Sequence, residues 1–110
     1  MGFIGGRKVA VPKFFEFFGA FLSALSNGRT YKAQDVREYI AEKMNISEQD
    51  QAELLPSKRQ STFNNRVAWA RTYLDRAGLI ETPSRGQYRI TEEGKRALLS
   101  GNTIDLKYLE

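Results

Sequence analysis

The stretch from Ser61 to Gly78 narrows the choice of fold more than any other part of this 110-residue chain. Wound as an α-helix, it puts Phe63, Val67, Ala70, Leu74 and Ala77 on one narrow stripe. Ser61 or Thr62 can cap its start, and Gly78 can close it in the left-handed conformation. Asn65, Ala68, Thr72 and Arg76 lie opposite the stripe, with Asn64 and Arg71 on one flank and Trp69 and Tyr73 on the other. A helix that merely meets solvent carries rows of Glu and Lys there. Here the outward face near the N-terminus is small and amide-bearing, which suits contact with something.

The neighbouring segments give this helix its setting. Residues 1–10, with Gly2, Gly5 and Gly6, read as a flexible leader. Pro12 suits a first helical position. From there Phe14, Phe18, Phe21, Leu22 and Leu25 recur at helical spacing up to Asn27-Gly28. Phe15 and Phe17 fall off that stripe, so the helix has apolar surface to place against another element or against a second copy of the chain. Arg29-Thr30-Tyr31 reads as a minimal strand. A second helix over about 33–44 points Val36, Tyr39, Ile40 and Met44 inward, and Asn45 stops it. Ser47-Glu48-Gln49-Asp50 resembles a capping box that opens a short helical turn through Leu54, ended by Pro56. After Gly78, Leu79-Ile80-Glu81 and Tyr88-Arg89-Ile90 bracket the turn-forming run Thr82 to Gln87, a hairpin pattern. Thr91 caps a last helix, Glu92 to Leu99, with its acids in the first turn. The tail from Ser100 to Glu110 has little pattern.

Composition removes whole classes of chemistry. The chain contains neither His nor Cys, which excludes disulfides, zinc fingers, thiol nucleophiles and imidazole bases. The cysteine-free composition is compatible with a reducing cytoplasm, the expected location. The longest apolar stretch, Phe14 to Leu25, is interrupted by Glu16 and is shorter than the roughly 20 residues a spanning helix needs. Arg7 and Lys8 are not followed by a signal-peptide cleavage pattern. A soluble, membrane-free domain without cofactor or metal is the expectation.

A net charge of +4 conceals two opposed blocks. Residues 32–55 carry −3, whereas residues 57–91 carry +5, six of the seven cations there being Arg. Arg favours bidentate and phosphate contacts. A solvated helix face would also explain the charge, but a basic block beside an acidic one has the form of an electrostatic footprint.

The order of helix, short strand, helix, turn, helix, hairpin, helix is that of a winged helix-turn-helix: mainly α with a small β-hairpin. Its recognition helix spans about 62–77 and its wing 79–90. A major groove about 12 Å wide admits one helix, and a basic hairpin beside it can reach the adjacent backbone or minor groove. The basic block falls on the two elements that this fold presents to double-stranded DNA.

The run Leu54-Leu55-Pro56-Ser57-Lys58-Arg59-Gln60, with Phe63-Asn64-Asn65-Arg66-Val67-Ala68-Trp69-Ala70-Arg71-Thr72-Tyr73-Leu74, resembles the N-terminal domain of Mrr-type restriction system proteins. Ala77 to Glu81 and Arg85 to Thr91 are similar to that family's wing and following cap. The resemblance covers residues 11–108 and is most specific at Asn65-Arg66-Val67-Ala68-Trp69-Ala70. It implies a DNA-binding module over residues 11–100, normally followed by a nuclease domain directed at modified DNA. Residues 101–110 then read as a linker towards that absent half; Leu109-Glu110 reads equally as a vector scar. The family's nuclease chemistry uses a carboxylate, a second carboxylate or Gln, and a Lys on strands. Glu92-Glu93 with Lys95 echoes that set but sits on a helix, so this chain is expected to be non-catalytic.

The candidate DNA-binding residues are Lys58, Arg59, Thr62, Asn64, Asn65, Arg71, Arg85 and Arg89. Arg85, beside Gly86 at the wing tip, is the foremost phosphate or minor-groove contact. Lys58 and Arg59 precede the recognition helix, where they clamp phosphates or simply ride on a loop. Asn64, Asn65 and Thr62 read bases, bind phosphate or cap the helix, with Asn65 pointing most squarely outward. Arg71 suits a backbone contact. Arg66 leans towards an acid of the second helix, Trp69 packs between helix and wing, and Tyr88 belongs to the wing core. The competing role is a protein-interaction module, a homodimer through the Phe-rich first helix.

Overall fold

A computed structural model describes residues 11–109, so the glycine-rich leader and Glu110 lie outside the described residues. The first helix is not one continuous rod. Val11 is buried, Lys13 is extended, and a 3₁₀ turn over Phe14–Phe17 precedes helix α1, Phe18–Ala24. Pro12 therefore stands ahead of the helix and not at its first position. The Glu16 carboxylate accepts the Lys13 N–H at 2.9 Å and closes the turn. Phe17 turns inward with its ring edge-on to Phe63, centroids 5.7 Å apart, while Phe14 lies against Phe18 and Tyr73. Phe17, Phe18, Phe21, Leu22 and Leu25 are all fully or almost fully buried. Most of the apolar surplus of this segment is absorbed by the domain's own core.

Gly28, at φ +85°, reverses the chain, and β1, Tyr31–Lys32, leads directly into α2, Ala33–Lys43. Val36 and Ile40 are buried while Tyr39 remains at the surface. Asn45 adopts φ +57° and stops α2; Asn tolerates this left-handed conformation better than most residues. The Ser47 hydroxyl accepts the Asp50 N–H at 3.0 Å and starts α3, Glu48–Ala52. That helix ends before Leu54, because Leu54 bridges to Ser61 as a short antiparallel pair.

Helix α4, Thr62–Arg76, starts at Ser61, whose hydroxyl accepts the Asn64 N–H at 2.9 Å. Phe63, Val67, Ala70 and Leu74 are buried in the core as the stripe requires. Gly78 follows at φ +79°. Strands β2, Ile80–Ser84, and β3, Gln87–Ile90, extend further into the expected turn, leaving only Arg85-Gly86 as the loop. Pro83 is accommodated because β2 is an edge strand and its register slips between Glu81 and Ser84. β1 adds to the other side of β3, pairing Tyr31 with Tyr88, so the sheet is three-stranded in the order β1-β3-β2.

Helix α5, Glu92–Leu99, is capped by Thr91, whose hydroxyl accepts the Gly94 N–H at 3.1 Å and donates to the Gly78 carbonyl at 2.6 Å. The tail carries more structure than its sequence suggested. A short helix α6, Leu106–Leu109, starts where the Asp105 carboxylate accepts the Tyr108 N–H, and Ile104, Tyr108 and Leu109 pack against the core. Among the described residues no helix is long and apolar enough to cross a membrane.

Candidate nucleic-acid interface

Residues 53–62 form a miniature hairpin. Its ends are tied by the Thr62 N–H to the Glu53 carbonyl at 2.7 Å and the Leu55 N–H to the Gln60 carbonyl at 3.0 Å. Lys58 sits at its tip with φ +60°, an uncommon conformation for a side-chain-bearing residue. Lys58 and Arg59 are both exposed there, held at the N-terminus of α4. Thr62 is not. With Ser61 as the cap, Thr62 becomes the first helical residue and is only 4% exposed, facing the protein.

Asn64 and Asn65 follow, and their roles differ from the helical-wheel expectation. Asn64 is the more exposed, while the Asn65 amide is half-buried and donates to Gln60 Oε1 at 3.3 Å. Asn64 borders a cavity of about 50 Å³ between α2, α4 and the wing, together with Arg37, Arg71, Ala68 and Tyr88. Among the described residues Arg71 has only a long contact to Asp75, 4.0 Å away, with both side chains substantially in solvent, an interaction worth little. It remains available to another anion.

Arg37 escaped the sequence reading because it lies in the acidic block. The helical wheel contained the signal. On α2 Arg37 falls beside Ala33 at the edge of the buried face, whereas Asp35, Glu38 and Glu42 point the opposite way. The fold thus extracts one cation from an acidic segment and adds it to the basic surface.

On the wing, Arg85 occupies the exposed loop and Gly86, at φ +76°, makes the tight reversal. The Gly86 carbonyl accepts the Ala33 N–H at 3.0 Å, which anchors the wing tip to the start of α2. Arg89 is engaged differently: its Nε donates to Glu81 Oε2 at 2.6 Å across the hairpin. Tyr88 packs on Phe21 with ring centroids 5.8 Å apart, the wing-core position expected of it.

Two further residues of the basic helix are placed by the structure. Arg66 does not meet an acid of α2; its guanidinium donates to the carbonyls of Val11 at 2.8 Å and Pro12 at 3.2 Å. Its work is to hold the chain that leads into the first helical segment. Trp69 is not wedged between helix and wing. It lies on the other flank, half-exposed, against Tyr73, which in turn stacks at 4.9 Å on Phe14.

Three helices folded around one core, with a two-stranded wing following the last of them and a third strand closing the sheet, define a winged helix-turn-helix domain. The Mrr N-terminal domain profile matches residues 14–100, and the chain belongs to that family. It is similar to the type IV methyl-directed restriction enzyme EcoKMrr of Escherichia coli K12, with 36% identity over 62 residues. The match covers 56% of this chain and only 20% of that enzyme, so the chain corresponds to a small part of its relative's length. No solved structure matches it.

Proposed function

We propose that this chain is the DNA-reading domain of an Mrr-type restriction enzyme directed at modified DNA. Helix α4 enters the major groove, and the wing, residues 79–90, rests on the adjacent backbone or minor groove. The observation that supports this most is the continuity of one polar and cationic surface. The Lys58–Arg59 loop joins α4 through Gln60 and Asn65. Asn64 shares a cleft with Ala33, and Ala33 is bonded to Gly86 at the wing tip. Asn64 and Asn65 are the side chains suited to base edges, since a terminal amide can pair with adenine through both of its groups. Lys58, Arg59, Arg37, Arg71 and Arg85 are suited to phosphates. Arg89 joins them only by sharing its guanidinium with Glu81. DNA cleavage would fall to another part of the parent protein.

Fluorescence anisotropy with duplex DNA across a salt series tests this reading. Neutralising four to six phosphates gives a log–log slope of roughly −4 to −5. Micromolar or tighter binding that fades with that slope supports the proposal; absence of binding at low salt overturns it. The alternative, an interaction module that dimerises through the Phe-rich first helix, has the partly buried Phe14 and Phe15 for its surface, since Phe17, Phe18 and Phe21 lie in the core. Sedimentation at several concentrations, showing a tight dimer with no DNA affinity, would favour it.

A further inference from the structure

The cleft between the start of α2, the first half of α4 and the wing has two features that are hard to reconcile singly. Part of its lining is apolar, with Phe21, Val36, Val67 and Tyr88. Its remaining lining includes Arg37, Arg71 and Asn64. A simple anion leaves the apolar residues of this lining unexplained, and a purely apolar group leaves its two arginines unexplained. A methyl group carried on the polar edge of a base matches both. Size points the same way. A cavity needs about 10–15 Å³ to hold one water, so a space of about 50 Å³ takes a methyl group and is too small for a whole base. Ala68, exposed on α4 and without side chain beyond Cβ, leaves one side of the cleft open.

We propose that this cleft receives the methyl group of a modified base displayed in the major groove. Arg71, Arg37 and Asn64 then lie beside the neighbouring polar edges, where guanine offers two acceptors and adenine an acceptor with a donor. The proposal rests on the reading of α4 as the major-groove helix and adds the place where the modification is sensed. A methyl at cytosine C5 and a methyl at adenine N6 share this chemistry, both projecting from the same groove.

Three duplexes of one sequence, unmodified, with a single 5-methylcytosine, or with a single N6-methyladenine, separate the sources by anisotropy at fixed salt. One methylated duplex binds about fourfold more tightly than the unmodified one, the worth of one buried methyl-sized group. Ala68→Leu, which fills the cleft, brings that ratio to about one, whatever it does to absolute affinity; Ala68→Met does the same should the leucine variant melt early by circular dichroism. Equal binding of all three duplexes by the unaltered chain overturns the methyl cleft while leaving DNA binding intact. So does a ratio that survives both substitutions. Binding to none of the duplexes overturns the DNA-reading proposal, and the cleft falls with it.

Discussion

Replacing Gly94 with alanine is expected to pry α5 away from the base of the wing. A Cβ at that position would stand 2.2 Å from the Leu79 carbonyl oxygen and 2.6 Å from Ile90 Cγ1, where ordinary contact begins at 3.4 Å. Relief requires the helix and the Leu79 backbone to part by roughly 1 Å, since a peptide carbonyl in a packed core cannot swing aside as a side-chain tip can. The same carbonyl accepts the Thr91 N–H at 3.1 Å, and the Thr91 hydroxyl is bonded to Gly78, so the displacement strains the joint between α4, β2 and α5. Overpacking costs about 1–3 kcal/mol, and a weakened buried hydrogen bond adds about 1 kcal/mol. Roughly 3 kcal/mol in total corresponds, for a chain of this size, to a fall in Tm of roughly 13 °C. Gly19 provides the control: a Cβ there meets nothing within 4 Å, so Gly19→Ala in α1 gains about 0.5–1 kcal/mol from backbone entropy. Differential scanning calorimetry of the two variants reads both signs. A Gly94→Ala protein that melts within about 3 °C of the parent would refute the close packing of α5 on the wing base.

Four other substitutions separate structural from DNA-contacting cations and caps. Arg66→Ala removes the hydrogen bonds to Val11 and Pro12 and is expected to cost about 2 kcal/mol in urea unfolding, with duplex affinity of the folded chain unchanged; lost affinity at full stability would contradict this. Ser61→Ala deletes the cap of α4 and should cost about 1 kcal/mol by the same measurement. Arg85→Ala should reduce the magnitude of the salt slope by about one. Arg89→Ala should change it less, because Glu81 already holds that guanidinium; equal effects would mean that the ion pair opens on DNA.

The regular parts of the fold were legible in the sequence because their signals are local. Ser61 and Gly78 bracket α4, Thr91 starts α5, and Asn45 stops α2, each through chemistry confined to a few residues. What escaped depended on distant partners. The apolar run from Phe14 contains no mark of where 3₁₀ winding gives way to α, and Phe17, read as lying off the stripe, is fully buried. Pro83 suggested a turn, yet on an edge strand with slipped register it costs the sheet nothing essential. Arg66 was expected to meet an acid of α2, but the carbonyls of Val11 and Pro12, more than fifty residues earlier, hold it. Thr62 and Ser61 were equal candidates for one cap, and the loss of that role buried Thr62. Arg37 was hidden by its acidic neighbours although its place on the wheel set it apart.

The shared surface of the hairpin loop, α4 and the wing tip can be examined most directly by amide chemical-shift mapping of the isotope-labelled chain during titration with a short duplex. The expected perturbations cluster at Lys58 to Asn65, Ala68, Arg71, the Ala33–Arg37 turn and Arg85-Gly86, with α5 and the Trp69–Tyr73 flank quiet. Shifts concentrated on α5 or around Phe14 and Trp69, with Asn64 and Gly86 unmoved, would contradict the account.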